Sequence, residues 1–422
     1  MQPRRPVYLA GMGHCSARGL TPAAAAQAML AGQTDHAQMQ LGQPGQTEQL
    51  HYSYYRMPLP QQGWQARADA ALHACVADMR QRVPDAIWRQ VPVFFASSSF
   101  QVGLHEGLSG GWRGDLHGGV NNGLVVGDIT AQPLSPVLPL PLGAGSFAGQ
   151  CAQSLGLQAV PLCFSHACTS SMCALDAAAS WLAHGVAAHA LVIATEYENT
   201  LTANGFHSLG LLSPDGCKPF AANSNGFVLG ESVAALWLTT EPAFLAQAAT
   251  TAQAVSTATT AAMPARWRLS ACASATDTHA LTAIDPSGQP LAAVIQAALQ
   301  QAGLRAADVG LVKLHAAGVG ATDMAEARAL QQVFGTQPPP LLSLKPYLGH
   351  TLGASTLTEI TVLLACLDQG HIPATLGCGQ PDPALGLRPV CTRQALAPEH
   401  VLLISIGFGG SMAAAIISRG AA

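Results

Sequence analysis

Charged residues are scarce in this chain. They make up 10% of its 422 residues, against about 25% in an average globular protein. The 19 Lys and Arg residues do not outnumber the 23 Asp and Glu residues, so the chain lacks the basic excess that a nucleic-acid backbone requires. Hydrophobic residues make up 49%, which excludes a disordered chain. We therefore expect a folded protein that has no nucleic-acid partner and hides part of its surface against another subunit.

Long apolar runs and paired cysteine motifs are also lacking. No run approaches the roughly 18 residues of a membrane-spanning helix, so no membrane span is expected. Arg4 and Arg5 precede an apolar run, Val7–Ala10, that is too short for an export signal and predicts a first strand instead. The eleven cysteines form no C-x-x-C pair, which argues against a zinc or redox framework. Mostly buried free thiols in a reducing cytoplasm are the simplest interpretation.

Short apolar runs alternate with longer Ala- and Leu-rich stretches, which is typical of α/β layers with buried strands. The strand candidates are Val7–Ala10, Val91–Ala96, Leu191–Ala194, Ala234–Leu238, Leu311–Leu314, Leu341–Leu344 and Val401–Ile406. The helix candidates are Pro22–Leu30, Ala66–Arg80, Ser171–His184, Pro290–Ala302, Asp323–Val333 and Ser355–Asp368. Gly103–Gly145 is too long and too rich in Gly and Pro for a simple connection, and is interpreted as a functional loop or cap. Glu241–Arg266 is interpreted as a linker or weak helix.

The two halves of the chain resemble each other. In each half a strand runs through a polar turn into a helix that a glycine closes, and Ser170 and Ser355 both stand fifteen residues before that glycine. The length allows two or three domains. The pattern favours an internally duplicated fold, with an N-terminal half over residues 1–243 and a C-terminal half over residues 244–422.

Cys168 is the cysteine with the most suggestive position. It follows the strand-like run Val160–Phe164 and comes just before the helix that begins at Ser171. The positive end of a helix dipole favours a thiolate there, and small neighbours leave room for a substrate. The residue is either a nucleophile or a small buried hydrophobic side chain, and this segment alone leaves both open.

Three more polar residues lie near predicted strand ends. His315 and Lys345 each follow a strand candidate, and His350 comes just before a helix candidate. A single residue of this kind is typical of a satisfied structural side chain. The carboxyl ends of strands gather sites in α/β folds, however, and one Cys, two His and one Lys at such ends fit thiolate chemistry on an acyl group.

Five ordered motifs run along nearly the whole chain. They are HACTSSMCALDAA around Cys168, NGFHSLGLLSPDGCKPFAANSNGFVLGES from Asn204, HAAGVGATDMAE from His315, SLKPYLGHTLGA from Ser343 and GFGG from Gly407. With these motifs the chain resembles the β-ketoacyl-acyl carrier protein synthases, the decarboxylating condensing enzymes of the thiolase superfamily. The tract NGFHSLGLLSPDGCKPF is similar to the ketosynthases of aryl polyene pathways.

The resemblance implies an α/β protein with a thiolase-like duplicated five-layer α-β-α-β-α fold. It implies an acyltransferase that condenses an acyl thioester with malonyl-acyl carrier protein, in fatty acid, polyketide or polyene biosynthesis. Cys168 would carry the acyl chain, and His315 and His350 would stabilise the enolate left by decarboxylation. The backbone N–H groups of Cys168 and Phe408 would form an oxyanion hole, and Phe408 would gate the acyl pocket.

Supporting residues follow from the same resemblance. Lys345, paired with Glu359, would set the electrostatics around the two histidines, and Asp323 and Glu326 stand in register with the acidic positions of the first histidine motif. The reaction would need no metal and no diffusible cofactor. The partners would be an acyl carrier protein bearing acyl and malonyl groups, and a second subunit in a homodimer or a ketosynthase–partner heterodimer.

Related branches differ from this chain at single positions. Thiolases use a second cysteine near the C-terminus, and GFGGSMAA has none. Starter-unit synthases place Asn where this chain has His350. The Cys-His-His pattern therefore indicates an elongating synthase.

Several positions depart from the family without removing a reacting group. They are Ala317 and Val319 in place of the usual pantetheine-contacting threonines, together with Ala221, Asn225, Thr322, Ile406, Ser411 and Met412. Such changes fit a specialised pathway. They also keep open an alternative from a different class, a non-condensing chain-length-factor-like subunit that shapes the acyl tunnel of a heterodimer.

Overall fold

The structure is a computed structural model that describes residues 4–41, 50–60, 63–108, 143–241, 244 and 267–420. Most of the loop predicted over Gly103–Gly145 and most of the linker predicted over Glu241–Arg266 lie outside the described residues. No helix within the described residues has the length and apolar character needed to cross a bilayer.

The strands alternate with helices along the chain. The strands are β1 (Val7–Ser16), β2 (Ala37–Leu41), β3 (Leu50–Tyr55), β4 (Val93–Ala96), β5 (Leu162–Phe164), β6 (His189–Glu196), β7 (Leu229–Gly230), β8 (Ser232–Thr239), β9 (Trp267–Thr276), β10 (Leu311–Lys313), β11 (Leu341–Leu342), β12 (His371–Ile372), β13 (Gln394–Ala395), β14 (His400–Ile406) and β15 (Ser411–Arg419). The helices are α1 (Pro22–Leu30), α2 (Trp64–Arg82), α3 (Asp85–Gln90), α4 (Val102–Leu108), α5 (Ala144–Ser154), α6 (Ser170–Ala183), α7 (Thr200–Ser208), α8 (Gln289–Ala302), α9 (Gly320–Phe334), α10 (Lys345–Leu348) and α11 (Ser355–Asp368).

Among the described residues, ten strands form one sheet built from two half-sheets of the same design. Its order is β11-β10-β14-β15-β9-β1-β8-β6-β4-β5. Read outward from the centre, β9-β15-β14-β10-β11 repeats β1-β8-β6-β4-β5, and both halves mix parallel and antiparallel pairs. The half-sheets meet where Val7 and Tyr8 pair with Leu269 and Arg268. The duplication expected from the sequence is therefore confirmed.

Five layers result from the placement of the helices. Helices α6 and α11 lie between the half-sheets and contact each other, and α6 also contacts strands of both half-sheets. Helix α2 packs on β1 and β8, and helix α8 packs on β9 and β15. Every residue from Ser355 to Leu367 in α11 is buried, and its polar side chains Ser355 and Glu359 have buried partners. This is the thiolase-like α-β-α-β-α arrangement that the sequence indicated.

The elements predicted from periodicity are present with small changes at their ends. Helices α1 and α11 begin and end at the predicted residues. In α1, Thr21 accepts a hydrogen bond from the Ala24 amide at 3.2 Å and Pro22 takes the first helical position, as expected for a helix start. The prediction of a loop over Gly103–Gly145 is wrong at the two ends that the structure describes. Helix α4 and the first residues of α5 lie there instead.

The sequence predicted mostly free thiols, and one pair of cysteines differs from that prediction. Nine cysteines are free, whereas Cys378 and Cys391 form a disulfide across 13 residues. The sequence gives no short-spacing signal for this pair. The two residues meet because β12 and β13 pair antiparallel and draw the intervening segment into a loop. The cytoplasmic location stays a prediction.

Candidate active site

The Cys168 turn lies between β5 and α6. Ala167 adopts a positive φ of 48°, a strained conformation for a residue with a Cβ. Ser170 stabilises the turn, since its hydroxyl accepts from the His166 amide at 2.8 Å and donates to the Ala167 carbonyl at 2.6 Å. The turn places the Cys168 thiol at the start of α6, where it is 7% exposed.

The loop after β14 closes over this turn. A Cβ on Gly407 would lie 3.1 Å from the Cys168 nitrogen, so a larger residue there would crowd the turn, and glycine allows the close approach. The backbone N–H groups of Phe408 and of Cys168 itself both act on the thiol and lower its pKa. Two amide donors therefore converge at the sulfur, as an oxyanion hole requires.

Burial nevertheless has the larger effect on the thiol. It raises the pKa of Cys168 to about 12, against the opposing influence of Lys345 and the two amides, while Glu196 raises it further. The expectation that the helix N-terminus leaves a thiolate is therefore wrong for the unliganded site. The reason is that desolvation penalises the charged form more than these groups stabilise it.

His315 follows β10 and is held by backbone groups. Its Nδ1 accepts a hydrogen bond from the Ile406 amide at 3.3 Å. Both oxygens of Glu326 accept amides from the same turn, that of His315 at 2.6 Å and that of Ala316 at 2.8 Å. Since a backbone amide can only donate, Nδ1 carries no proton and Nε2 of the neutral ring carries it.

His350 stands opposite His315. The two ring centroids are 5.5 Å apart and the ring planes are inclined by 82°. Its Nδ1 lies 3.0 Å from the hydroxyl of Ser355, the first residue of α11, and Phe227 packs against the ring edge-on at 5.1 Å. The position is therefore fixed from two sides.

Beneath the histidines lies a buried cluster of three charged side chains. Lys345 donates to Oε1 of Glu359 at 2.8 Å, which is the expected ion pair. Lys313 donates to Oε2 of the same carboxylate and, at 2.9 Å, to the Ile404 carbonyl. Burial acts to raise the pKa of Glu359, but the two lysines outweigh it and the pKa lies below its ordinary value.

This cluster keeps the two imidazoles neutral. Burial lowers the pKa of both His315 and His350 well below the ordinary value, and the positive charges of Lys345 and Lys313 lower it further. A neutral ring with a free N–H donates a hydrogen bond without binding a carboxylate as a salt. The site is thus equipped with two uncharged donors.

Asp323 and Glu326 support the site from α9. Asp323 Oδ2 accepts the Phe220 amide at 2.9 Å, and burial raises the pKa of Asp323 to about 7. Burial also raises the pKa of Glu326. Both carboxyl groups order neighbouring backbone.

One cavity brings the reacting groups together. It is lined by Cys168, Phe206, Leu211, Phe227, Thr282, Ala283, Ile284, His315, Ala317, Val319, Thr322, His350, Ile406, Gly407 and Phe408. Of the residues named from the sequence, Cys168, His315, His350 and Phe408 face this space, and Lys345, Glu359, Asp323 and Glu326 surround it. The described residues contain no group of three or more His, Cys, Asp or Glu side chains placed to hold a metal ion.

Lys313 and Ser355 were missed by the sequence analysis. Lys313 stands two residues before His315 inside an apolar run, and a lysine in a buried strand is itself a signal. Ser355 had been noted only for its distance from a closing glycine. No periodicity indicates that its hydroxyl meets an imidazole.

Two family models match the chain. The β-ketoacyl synthase N-terminal domain matches residues 127–244, and the β-ketoacyl synthase C-terminal domain matches residues 268–379. The chain therefore belongs to the β-ketoacyl synthase family.

Individual relatives cover parts of the chain. A highly reducing polyketide synthase from Aspergillus nomiae is 32% identical over 60% of this chain and 10% of its own length. A 3-oxoacyl-[acyl-carrier-protein] synthase 2 from Mycobacterium bovis is 30% identical over 48% of this chain and 46% of its own. The chain spans 10–11% of the length of the first curated relatives it matches.

Solved structures share the fold at low identity. A ketosynthase in complex with its chain length factor from Xenorhabdus doucetiae superposes with a TM-score of 0.75 at 22% identity, and the match covers 99% of this chain and 98% of that one. The likeness therefore shows that the chain has a ketosynthase fold.

Proposed function

We propose that the protein is an elongating β-ketoacyl synthase, which joins an acyl thioester to malonyl-acyl carrier protein with loss of carbon dioxide. The observation that carries the proposal is the cavity that holds a thiol, two neutral imidazoles and two converging amides. Each group matches one step of this reaction.

The first step transfers the acyl group to Cys168. A bond forms between the Cys168 sulfur and the acyl carbon, the bond to the carrier sulfur breaks, and the thiol proton leaves with the carrier thiol. The amides of Cys168 and Phe408 hold the oxyanion of the tetrahedral intermediate. The raised pKa of Cys168 keeps the proton on the thiol until a thioester arrives.

The second step releases carbon dioxide from the malonyl group. The carbon–carbon bond breaks, and its electron pair forms an enolate whose charge rests on the thioester oxygen. His315 and His350 donate hydrogen bonds to that oxygen as neutral rings. Because they carry no charge, they do not trap the departing carboxylate.

The third step forms the new carbon–carbon bond. The enolate carbon attacks the carbonyl of the acyl-Cys168 thioester, and the oxyanion hole again stabilises the charge. The Cys168 sulfur leaves as a thiolate and takes up one proton from water, and the β-ketoacyl product remains on the carrier. No step calls on a metal or a diffusible cofactor.

An acyl carrier protein and a second subunit of the same fold are the proposed partners. Ala317 and Val319 make the pantetheine side of the cavity apolar, which supports a carrier or pathway other than that of housekeeping fatty acid synthesis. The second subunit is a copy of this chain or a ketosynthase-like partner.

The apolar lining at Ala317 and Val319 also favours the second candidate, a non-condensing chain-length-factor-like subunit. The two functions differ in one simple observation. A condensing enzyme takes an acyl group onto Cys168 and releases carbon dioxide from malonyl-carrier protein when isolated, and a non-condensing partner does neither.

The test is carbon dioxide release from malonyl-carrier protein by His315→Ala and His350→Ala. Each variant is expected to lose about a hundred- to a thousand-fold in rate, the usual effect of removing one preorganised donor. His184→Ala is the control, since that histidine is exposed and bonds only within its own helix end. Near-normal release by either site variant, with an unchanged circular dichroism spectrum, would remove that histidine from the mechanism.

A further inference from the structure

The two imidazoles that face the cavity are held by different kinds of partner. Nδ1 of His315 accepts from the Ile406 amide at 3.3 Å, and an amide can act only as a donor. Nδ1 of His350 instead lies 3.0 Å from the Ser355 hydroxyl, which can donate or accept. The tautomer of His350 therefore depends on the direction of one hydroxyl bond.

The surroundings of Ser355 decide that direction. The Thr351 hydroxyl donates to the Ser355 oxygen at 3.4 Å, which leaves the Ser355 proton free to point at His350. The reverse chain would send a proton from His350 through Ser355 to Thr351, whose own proton would then have no further acceptor among the described residues. His350, Ser355 and Thr351 are 3%, 2% and 1% exposed, so an unmet donor would stay desolvated, at a full penalty.

We propose that Ser355 is a positioning residue for His350. Its hydroxyl donates to Nδ1 and thereby holds the ring as the Nε2–H tautomer, with that N–H available to the cavity that His350 lines. Thr351 orients the Ser355 hydroxyl in turn. The arrangement makes His350 equivalent to His315, although one ring is set by a backbone amide and the other by a two-hydroxyl chain.

The consequence for catalysis rests on the proposed function. Two Nε2–H donors are needed at once on the enolate oxygen, and a ring in the Nδ1–H form would present a lone pair to that oxygen instead. A lone pair facing the developing charge repels it. Ser355 therefore acts on the rate of decarboxylation through His350, without touching the substrate.

The first test measures the tautomer in the full-length protein without substrate. With ¹⁵N-labelled histidine, long-range ¹H–¹⁵N correlation spectra show which ring nitrogen carries the proton, and loss of signals in His350→Gln assigns the ring. The expected result is the Nε2–H form for both His350 and His315. A His350 ring in the Nδ1–H form would overturn the proposal, and this readout needs no activity.

The second test uses a matched set of variants. Ser355→Ala is expected to change the tautomer population of His350 but not of His315, and to lower kcat for carbon dioxide release from malonyl-carrier protein about tenfold or more, with little change in KM. Ser355→Thr, which keeps the hydroxyl, is expected to restore both readouts. Ser232→Ala is the control, because it removes a buried hydroxyl that bonds to Thr358 at 2.7 Å and not to His350.

The two claims fail in different ways. A Ser355→Ala protein with an unchanged His350 tautomer, or a Ser355→Thr protein that behaves like Ser355→Ala, would overturn the role of Ser355. A wild-type protein that releases no carbon dioxide but shows the Ser355-dependent tautomer would overturn the proposed function and leave the positioning role standing.

Discussion

The reactivity of the Cys168 thiol results from two opposing influences at the scale of single residues. Burial raises its pKa to about 12, whereas Lys345 and the amides of Phe408 and Cys168 act in the other direction. Only the thiolate is nucleophilic. Burial therefore disfavours the nucleophilic form of Cys168 in the empty site.

Alkylation of Cys168 by iodoacetamide is therefore expected to be slow at neutral pH. Its rate should rise about tenfold for each pH unit through neutral and mildly alkaline pH, because each unit increases the thiolate fraction by that factor. The measurement is peptide mass spectrometry of Cys168 in a Cys163→Ser background, which removes an exposed thiol. A rate that already levels off near pH 7 would show that the pKa is not raised.

The cluster of Lys313, Lys345 and Glu359 predicts the pH dependence of decarboxylation. Burial first, and the two lysines next, hold the pKa of His315 and His350 well below the ordinary 6.5. Release of carbon dioxide should therefore show no inflection near pH 6.5, where an ordinary imidazole would gain a proton. Lys313→Met removes one cation, so it should raise both imidazole pKa values and move the acidic limb of the profile to higher pH.

Lys218→Met is the control for this pH profile, since Lys218 pairs with Asp215 at the surface and not with the buried cluster. An inflection near pH 6.5 in the wild-type profile, or a Lys313→Met profile identical to that of the wild type, would contradict the role of the buried lysines.

The residues to which we assign the proposed chemistry could be predicted from the sequence, and their supporting residues only in part. Cys168, His315 and His350 lie in motifs whose residue types and order led to that assignment. Lys313 and Ser355 could not be identified in this way, because their roles depend on side chains that meet only in the folded protein. Strand β10 and helix α11 bring them to the site from separate parts of the chain. The helix-dipole argument predicts a lowered pKa for the Cys168 thiol, whereas burial raises that pKa. The extent of burial does not follow from local sequence.

At the scale of elements, the free edge of the large sheet is exposed and apolar. Among the described residues, strand β5 pairs with β4 alone. Leu162 in β5 is 40% exposed, and Val160 just before it is 87% exposed. An open apolar edge is a template for pairing with another chain. We expect this edge to join a second ketosynthase-fold subunit, in line with the low charge of the sequence.

If the edge joins a second subunit, Leu162→Lys is expected to dissociate that assembly, because a lysine at the joined edge would bury an unpaired charge. Sedimentation velocity at micromolar concentration, with any partner that co-purifies, measures the change. Leu209→Lys is the matched control, a leucine that is 53% exposed in another part of the chain. A wild-type protein that sediments as a monomer and brings no partner would contradict the expectation.

Element prediction worked best for helices α1 and α11, which were located to the residue. The short strands β2, β3, β12 and β13 were not predicted, and neither were the longer strands β9 and β15. The sequences of β9 and β15 are rich in Ala and Ser, which are not typical strand residues. The pairing of the short strands, and the disulfide between Cys378 and Cys391, depends on contacts between distant segments.

At the scale of the whole molecule, the site forms where the two halves meet. Cys168 follows β5 in the first half, and His350 lies beyond β11, the equivalent strand of the second half. His315 and Phe408 follow β10 and β14, also of the second half. Neither half alone contains the nucleophile together with the imidazoles, so the duplicated fold is itself a condition of the proposed chemistry. A division between residues 243 and 244 stays a proposal.

The central claim is that Cys168 carries the acyl chain during condensation. The most direct measurement incubates the protein with malonyl-carrier protein and a series of acyl-carrier proteins from acetyl to octanoyl, and follows β-ketoacyl product and protein adducts by mass spectrometry. The wild type and Cys173→Ala, a control on the helix that follows Cys168, are expected to form product and to carry the acyl adduct on Cys168. Cys168→Ala is expected to keep its fold, to form no product and still to release carbon dioxide, because the two imidazoles remain. Product formation by Cys168→Ala, or an adduct on another residue in the wild type, would contradict the account.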